Sequence, residues 1–476
     1  MITAPETSPA ASRAEAGFNA GYVWAISIVA AMGGLLFGYD WIVISGTDLF
    51  YEAHFHLTSS LEIGWAKSSA LLGCLIGALI SGALSDQFGR KRLLALSALL
   101  FAVSSVATGL AGSFAVFVLW RIAGGAAIGL ASNLSPMYIA EVAPARTRGR
   151  LVSLNQLTIV VGILLAQFVN WRIGSLHPLP DQPTADQIAA SWSGQTGWRW
   201  MFGVTAAPSF LFLIGMFLVP ESPRWLAKNG KPERARAILA KIGGSDYAGA
   251  AMADIQATLV NEVQKVNFRD LLQPKLKRML FLGIALAVLQ QWCGINVIFY
   301  YAKDVFKDSG FKVADILINI VFIGSVNLLA TLVALRTVDR WGRRPLMLFG
   351  YAGLTVLFII LGLCFALNMH GVLMLVLVLA AIACYAMSLA PITWVLIAEI
   401  FPNRIRGAAM SVAVTSLWIA CFVLTETFPF LREHLGAAGT FWIYAGICLF
   451  GFLLFRAKLP ETKGKTLELI ERELVD

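Results

Sequence analysis

Glu141-Val142-Ala143-Pro144-Ala145-Arg146-Thr147-Arg148-Gly149 and Glu399-Ile400-Phe401-Pro402-Asn403-Arg404-Ile405-Arg406-Gly407 share the pattern Glu-x-x-Pro-x-Arg-x-Arg-Gly. Each copy follows, by 55 and 60 residues, a string of the form Asp-x-x-Gly-Arg-(Lys/Arg), from Asp86 to Lys91 and from Asp339 to Arg344. Pro220-Glu221-Ser222 and Pro460-Glu461-Thr462 close the two parts alike. Three shared strings in one order make the chain a tandem duplication. The strings border long apolar runs, so the duplicated unit is a membrane-embedded half. Two such halves in tandem are the usual build of a transporter.

Composition agrees with a membrane setting. Of 476 residues, 58% are hydrophobic and only 14% charged, with a mean hydropathy of +0.73, too apolar for a soluble domain of this length. Stretches of about 20 apolar residues fall near 23–44, 65–84, 93–112, 114–138, 151–173, 200–219, 279–300, 314–335, 346–367, 371–397, 408–429 and 438–457. Numbered helices 1 to 12, they predict an all-α membrane protein of twelve transmembrane helices in two pseudo-symmetric six-helix bundles. The expected division is a tail over 1–22, a first bundle over 23–219, a helical linker domain over 220–278, a second bundle over 279–457 and a tail over 458–476.

The formal net charge of +9 could suggest nucleic acid, but the positions of the cations decide against it. Of 37 basic residues, 29 lie in the even-numbered connections, the linker and the termini. The positive-inside rule places those segments, and both termini, in the cytoplasm of a multi-pass cell-membrane protein. Lys67, Arg172, Arg199, Lys303, Lys307, Lys312 and Arg432 mark the opposite side, and Arg121 lies within helix 4. The first 22 residues lack a basic leader before a short apolar core, so helix 1 is expected to be retained.

All six cysteines sit in apolar helices without C-x-x-C spacing and read as packing residues. In the linker, Ser222 can cap a helix that begins at Pro223. Gly230, Gly243 and Gly244 punctuate the rest of the linker, and Ala248 to Lys265 has helical spacing.

The glycine of each Asp-x-x-Gly-Arg string permits a tight turn between helices, and its charges can pair with neighbouring helix ends. The basic residues alone would fix topology. The matched carboxylates point further, to ion pairs across the two halves that close the cytoplasmic side in one state and break in the other. The candidate gate comprises Asp86, Arg90, Glu141, Arg148, Glu221, Asp339, Arg343, Glu399, Arg406 and Glu461.

Asp40 in helix 1 and Arg121 in helix 4 are ionisable groups at membrane depth, which are costly, face the bundle interior and often pair. Opposite signs predict that they pair with each other. Parting them would favour proton uptake by the carboxylate, which makes them the proton-coupling candidates; a permanent structural pair is the alternative. A sugar needs amides that both donate and accept, together with aromatic rings. Helix 7 supplies Gln290, Gln291 and Asn296, and Gly294 would let it unwind there. Without that break, Asn296 would face away from Gln290.

Taken together, these strings resemble the sugar porters of the major facilitator superfamily, which include bacterial xylose/proton symporters and mammalian glucose transporters. To the two repeats they add Gly33-Gly34-Leu35-Leu36-Phe37-Gly38-Tyr39-Asp40, Pro220-Glu221-Ser222-Pro223-Arg224, Gln290-Gln291-x-x-Gly294-Ile295-Asn296 and Pro460-Glu461-Thr462-Lys463-Gly464. The resemblance implies the major facilitator fold, Gln156, Asn327 and Trp394 as further sugar contacts, and Phe37, Tyr300, Tyr301 and Trp418 as apolar walls or gates. It also implies a titrating Asp40, since uniporters of the family usually carry Asn there. Ile163 and Leu417 stand where xylose symporters carry glutamine, which leaves glucose or another hexose open beside a pentose. Ala390 replaces the glycine common before Pro391 in the family, which either stiffens a hinge there or has no effect.

No H-E-x-x-H, G-x-S-x-G or complete phosphate loop is present, and five scattered histidines do not make a metal site. The expectation is therefore no enzyme, no metal, no cofactor and no ATP. The predicted protein is a monomer in the lipid bilayer that imports a monosaccharide with a proton by alternating access. Two rivals remain: a proton-independent facilitator, and a sugar sensor, which would be expected to carry a longer tail than the roughly 19 residues after helix 12.

Overall fold

The computed structural model describes residues 18–180, 183–261, 273–401 and 406–463. Most of the two predicted tails and the end of the linker lie outside these residues, as do Pro402 to Ile405 and the side chains of Asp339 and Arg406.

Apolar helices follow one another as expected. The first half contains α1 Ala20–His54, α2 Ser60–Phe88, α3 Arg90–Gly109, α4 Phe114–Val142, α5 Ala145–Gly174 and a broken α6 over Ser193–Leu218. The second contains α7 Pro274–Trp292 continued by Ile295–Tyr300, α8 Val313–Trp341, α9 Arg343–Ala366 and α10 Val372–Met387 continued by Leu389–Glu399. Arg406–Lys458 holds two helices that meet at Gly436, whose backbone (φ 66°, ψ 176°) is not helical: α11 before it and α12 after it. Eleven continuous apolar spans among the described residues thus fold as twelve helices.

Sequence explains many of the ends. Asn19 caps α1 by accepting from the Tyr22 N–H at 3.0 Å. Ser222 accepts from the Trp225 N–H at 3.2 Å and starts Pro223–Lys228, with proline at the first helical position as expected. Pro232–Asn261 continues the linker with a kink at Gly244 (φ 84°). In the connection before α6, Thr184 and Gln187 form a reciprocal capping box on a short helix, Ala185–Ala190.

Two elements depart from expectation. Apolarity predicts helix 1 to end near residue 44, yet α1 runs ten residues further, to His54. Its extension carries Asp48 and Glu52, whose charges are met by lysines from other helices. α10 breaks at Ser388 (φ −129°, ψ −84°), three residues before Pro391. A proline ring has no N–H and clashes with the preceding turn, so the break falls upstream of it.

Within the first half, helices approach through small residues, as membrane helices do. A Cβ on Gly73, Gly77, Gly125 or Gly129 would collide with the facing backbone between α2 and α4, and one on Gly38 or Gly162 would do so between α1 and α5. All six cysteines are buried and free.

Candidate functional site

Asp40 and Arg121 are brought together as predicted. They are 3% and 2% exposed, so the pair is shut off from solvent. Arg121 Nη1 donates to both Asp40 carboxylate oxygens at 3.2 Å. A Cβ on Gly124, one turn along α4, would touch Asp40 Oδ2 at an ordinary 3.6 Å and crowd only Ser104 Oγ, at 3.1 Å. The Phe202 ring stands 5.4 Å from the guanidinium carbon. A charge pair this dry persists only because each ion is the other's partner.

The expected break in α7 is present. Gly294 adopts left-handed geometry (φ 86°), which a side chain disfavours, and separates the two helical pieces. Asn296 then turns back to donate to Gln291 Oε1, and Gln290 donates to the Tyr385 hydroxyl from α10. Gln290 Oε1 is buried and has no protein partner. Asn327 is buried on α8, Gln156 half-buried on α5, and Trp394 exposed on α10.

Aromatic residues join the halves. Phe37 of α1 meets Trp418 of α11 at 6.0 Å between ring centroids, and the Trp418 indole N–H is buried without a protein partner. Trp41 packs edge-on against Tyr300 at 5.2 Å and against Phe299 at 5.7 Å. Tyr301 does not join the amides: its hydroxyl donates to the Thr425 carbonyl at 2.7 Å, and its ring lies 3.8 Å from Lys67 Nζ.

At the end of the molecule that holds the repeated basic strings, the basic end, the described ion pairs form within each half, the arrangement expected of a gate whose pairs across the halves are broken in this state. Arg90 Nη2 donates to Glu141 at 3.0 Å, and Arg343 Nη2 to Glu399 at 3.3 Å, so each described pair lies inside one half rather than across the two. Asp86, itself exposed, pairs with Arg90 of its own half at 3.6 Å and with Lys228 of the linker at 3.3 Å. Backbone geometry adds a second tie at each repeat. Gly89 and Gly342 share a φ of 92° and present the first N–H groups of α3 and α9 to a carboxylate. Glu221 accepts from the Arg90 and Lys91 N–H groups at 3.0 and 3.1 Å, and Glu461 from those of Arg343 and Arg344 at the same two distances. A carboxylate on a helix N-terminus is favoured by the unpaired N–H groups and the dipole there. Arg148 is exposed and lines a cavity of about 460 Å³ with Arg90, Glu141, Arg224 and Ile255.

Sequence reasoning missed a second charge cluster, at the opposite or far end. Lys67 Nζ is fully buried, 2.8 Å from Asp48 and 3.9 Å from both Glu52 and Asp304. Lys303 pairs with Glu52, and Arg432 with Asp304 at 3.1 Å and Asp308 at 2.7 Å. Ser60 bonds to Glu433 and Ser68 to Glu426 at 2.5 Å, again across the halves. The available signal was Asp48 and Glu52 four residues apart, which places both on one helical face. A cavity of about 410 Å³ opens here, lined by Tyr301, Phe428 and Arg432 among others. Neither cavity is lined by the α7 amides, so the candidate sugar site rests on donor and acceptor chemistry rather than on cavity size.

With this geometry in view, the family model described as "Sugar (and other) transporter" matches residues 26–474. A glucose transport protein of Synechocystis is 40% identical over 98% of this chain and 99% of its own length. The D-xylose-proton symporter of Escherichia coli is 39% identical, covering 95% and 96%. A solved inward open structure of the xylose transporter XylE from E. coli superposes with a TM-score of 0.82 at 38% identity, covering 95% of this chain and all of that one.

Proposed function

The chain belongs to the sugar porter family of the major facilitator superfamily, and from that premise we propose that it imports a monosaccharide, a hexose such as glucose or a pentose such as xylose, together with a proton. The observation that carries the proton is the buried Asp40–Arg121 pair. Gln290, Gln291, Asn296, Gln156 and Asn327 bind the sugar hydroxyls, with Phe37, Trp418, Tyr300 and Trp394 against its apolar faces. Loop charge puts the basic end in the cytoplasm. The far-end contacts between the halves then close the outside, and the conformation described is inward-facing.

Protonation of Asp40 releases Arg121 and permits sugar to bind from outside. The halves rock, the far end closes, and sugar and proton leave at the basic end. The second reading, a proton-independent facilitator, differs only in whether Asp40 titrates.

Purified protein in sealed vesicles tests both readings. Labelled hexoses and pentoses should accumulate when the outside is acid and only equilibrate when the gradient is collapsed. Accumulation that survives Asp40→Asn sinks the coupling assignment, and a panel with no uptake sinks the substrate class.

A further inference from the structure

The side of α5 that holds Gln156 also carries Ile163, Gln167 and Asn170, at successive spacings of seven, four and three residues. It meets α8 of the other half. A Cβ on Gly324 would collide with Gln167 Oε1 and lie 3.2 Å from Leu164 Cδ1, and one on Gly174 would run into Leu317, so the two helices are antiparallel. In that register Asn327, three residues past Gly324, stands level with Ile163 and Leu164, and Gln167 lies one turn nearer the far end.

Gln167 is only 1% exposed, and its Oε1 is buried without a hydrogen-bond partner among the described residues. An amide oxygen left dry and unbonded is costly, so it marks the place of a donor that the chain does not supply. Gln290 Oε1, in the α7 amide group, is left open in the same way. Asn170 is different: its Nδ2 donates to the Val43 carbonyl at 2.9 Å and ties α5 to α1. The side chain missing at Gly324 is what gives the Gln167 oxygen its place between the halves.

We propose that Gln167 is a further sugar contact, which accepts a hydrogen bond from the hydroxymethyl group of a hexose and so sets a preference for hexoses over pentoses. The proposal rests on the reading of the α7 amides as the sugar site. A hexose ring differs from a pentose ring by one exocyclic carbon and its hydroxyl. Gln167 is correspondingly one acceptor beyond the amides of α7 and α8, set a turn along α5 behind the buried hydrocarbon of Ile163. The exocyclic carbon packs on Ile163, and its hydroxyl donates to Oε1. A site that holds a hydroxyl in this way disfavours an analogue lacking it, because the amide is then left unpaired again.

The test compares uptake of D-glucose, 6-deoxy-D-glucose and D-xylose by the full chain in sealed vesicles with acid outside. The wild-type KM should be lower for glucose than for the two sugars without that hydroxyl, by about tenfold. In Gln167→Leu the KM for glucose should rise about tenfold, with kcat kept and the KM of the other two unchanged. Gly324→Ala leaves Gln167 in the chain but drives a methyl into its oxygen, and should give the same glucose-only loss should the first variant fail to fold. A KM raised alike for all three sugars, as a packing role would give, overturns the proposal. So does wild-type protein that prefers xylose or treats glucose and 6-deoxyglucose alike. Uptake of none of the three by wild type sinks the substrate reading and this assignment with it, whereas uptake with an unaltered ratio in the variants sinks the Gln167 assignment alone.

Discussion

One nitrogen of Arg121, Nη1, lies 3.2 Å from both carboxylate oxygens of Asp40, while Nη2 reaches only the Asp40 backbone carbonyl, at 3.5 Å. The grip is single-handed, unlike the parallel two-nitrogen fork that makes the strongest such pairs. Truncating Arg121 to Met leaves a buried carboxylate without a partner and should cost about 3 kcal/mol. A lower melting temperature of the purified variant is the readout. An unchanged one would mean that water replaces the guanidinium.

Removing an amide from α7 should weaken sugar binding and spare coupling. Gln290→Ala and Asn296→Ala each delete a hydrogen-bonding group worth about 1 to 1.5 kcal/mol, so the KM for uptake should rise by about tenfold. Accumulation at saturating sugar should persist in both. A normal KM with lost accumulation would move these residues from the sugar to the proton.

The pairing at the basic end can be read by double-mutant cycles of stability. Arg90→Ala with Glu141→Ala should show a coupling of about 1 kcal/mol or more, because the two touch. Arg90→Ala with Glu399→Ala should be additive in this conformation. Coupling in the second cycle would restore a gate across the halves.

Gly125 faces the backbone of Ala70 with no room for a Cβ. Gly125→Val should push α2 from α4 and cost about 1 to 3 kcal/mol, seen as a lower melting temperature. Gly112→Val, where a Cβ would meet nothing within 4 Å, is the control.

What sequence makes legible here is what depends on few atoms. Twelve apolar stretches, the break at Gly294 and the opposite charges of Asp40 and Arg121 follow from hydropathy, backbone freedom and the cost of a lone buried ion. Pairing partners at the basic end depend on turn geometry: the positive φ of Gly89 and Gly342 turns the helix starts toward Glu221 and Glu461. No periodicity encodes that. The far-end cluster was hidden for a different reason. Asp48 and Glu52 look like the polar end of a membrane helix, and only the depth of Lys67 shows that they are inside.

The carboxylate braces of Glu221 and Glu461 have a mechanical consequence. Each ties a carboxylate to the first turn of a neighbouring helix at the basic end, so a rotation of the halves about the Trp41–Tyr300 contact would carry that end as one piece. From Trp41 back to the start of α1 is about 30 Å at 1.5 Å per residue. A turn of ten degrees or so there would sweep the basic end through about 5 Å on that arm, roughly the width of a sugar ring, while the fulcrum itself barely moves.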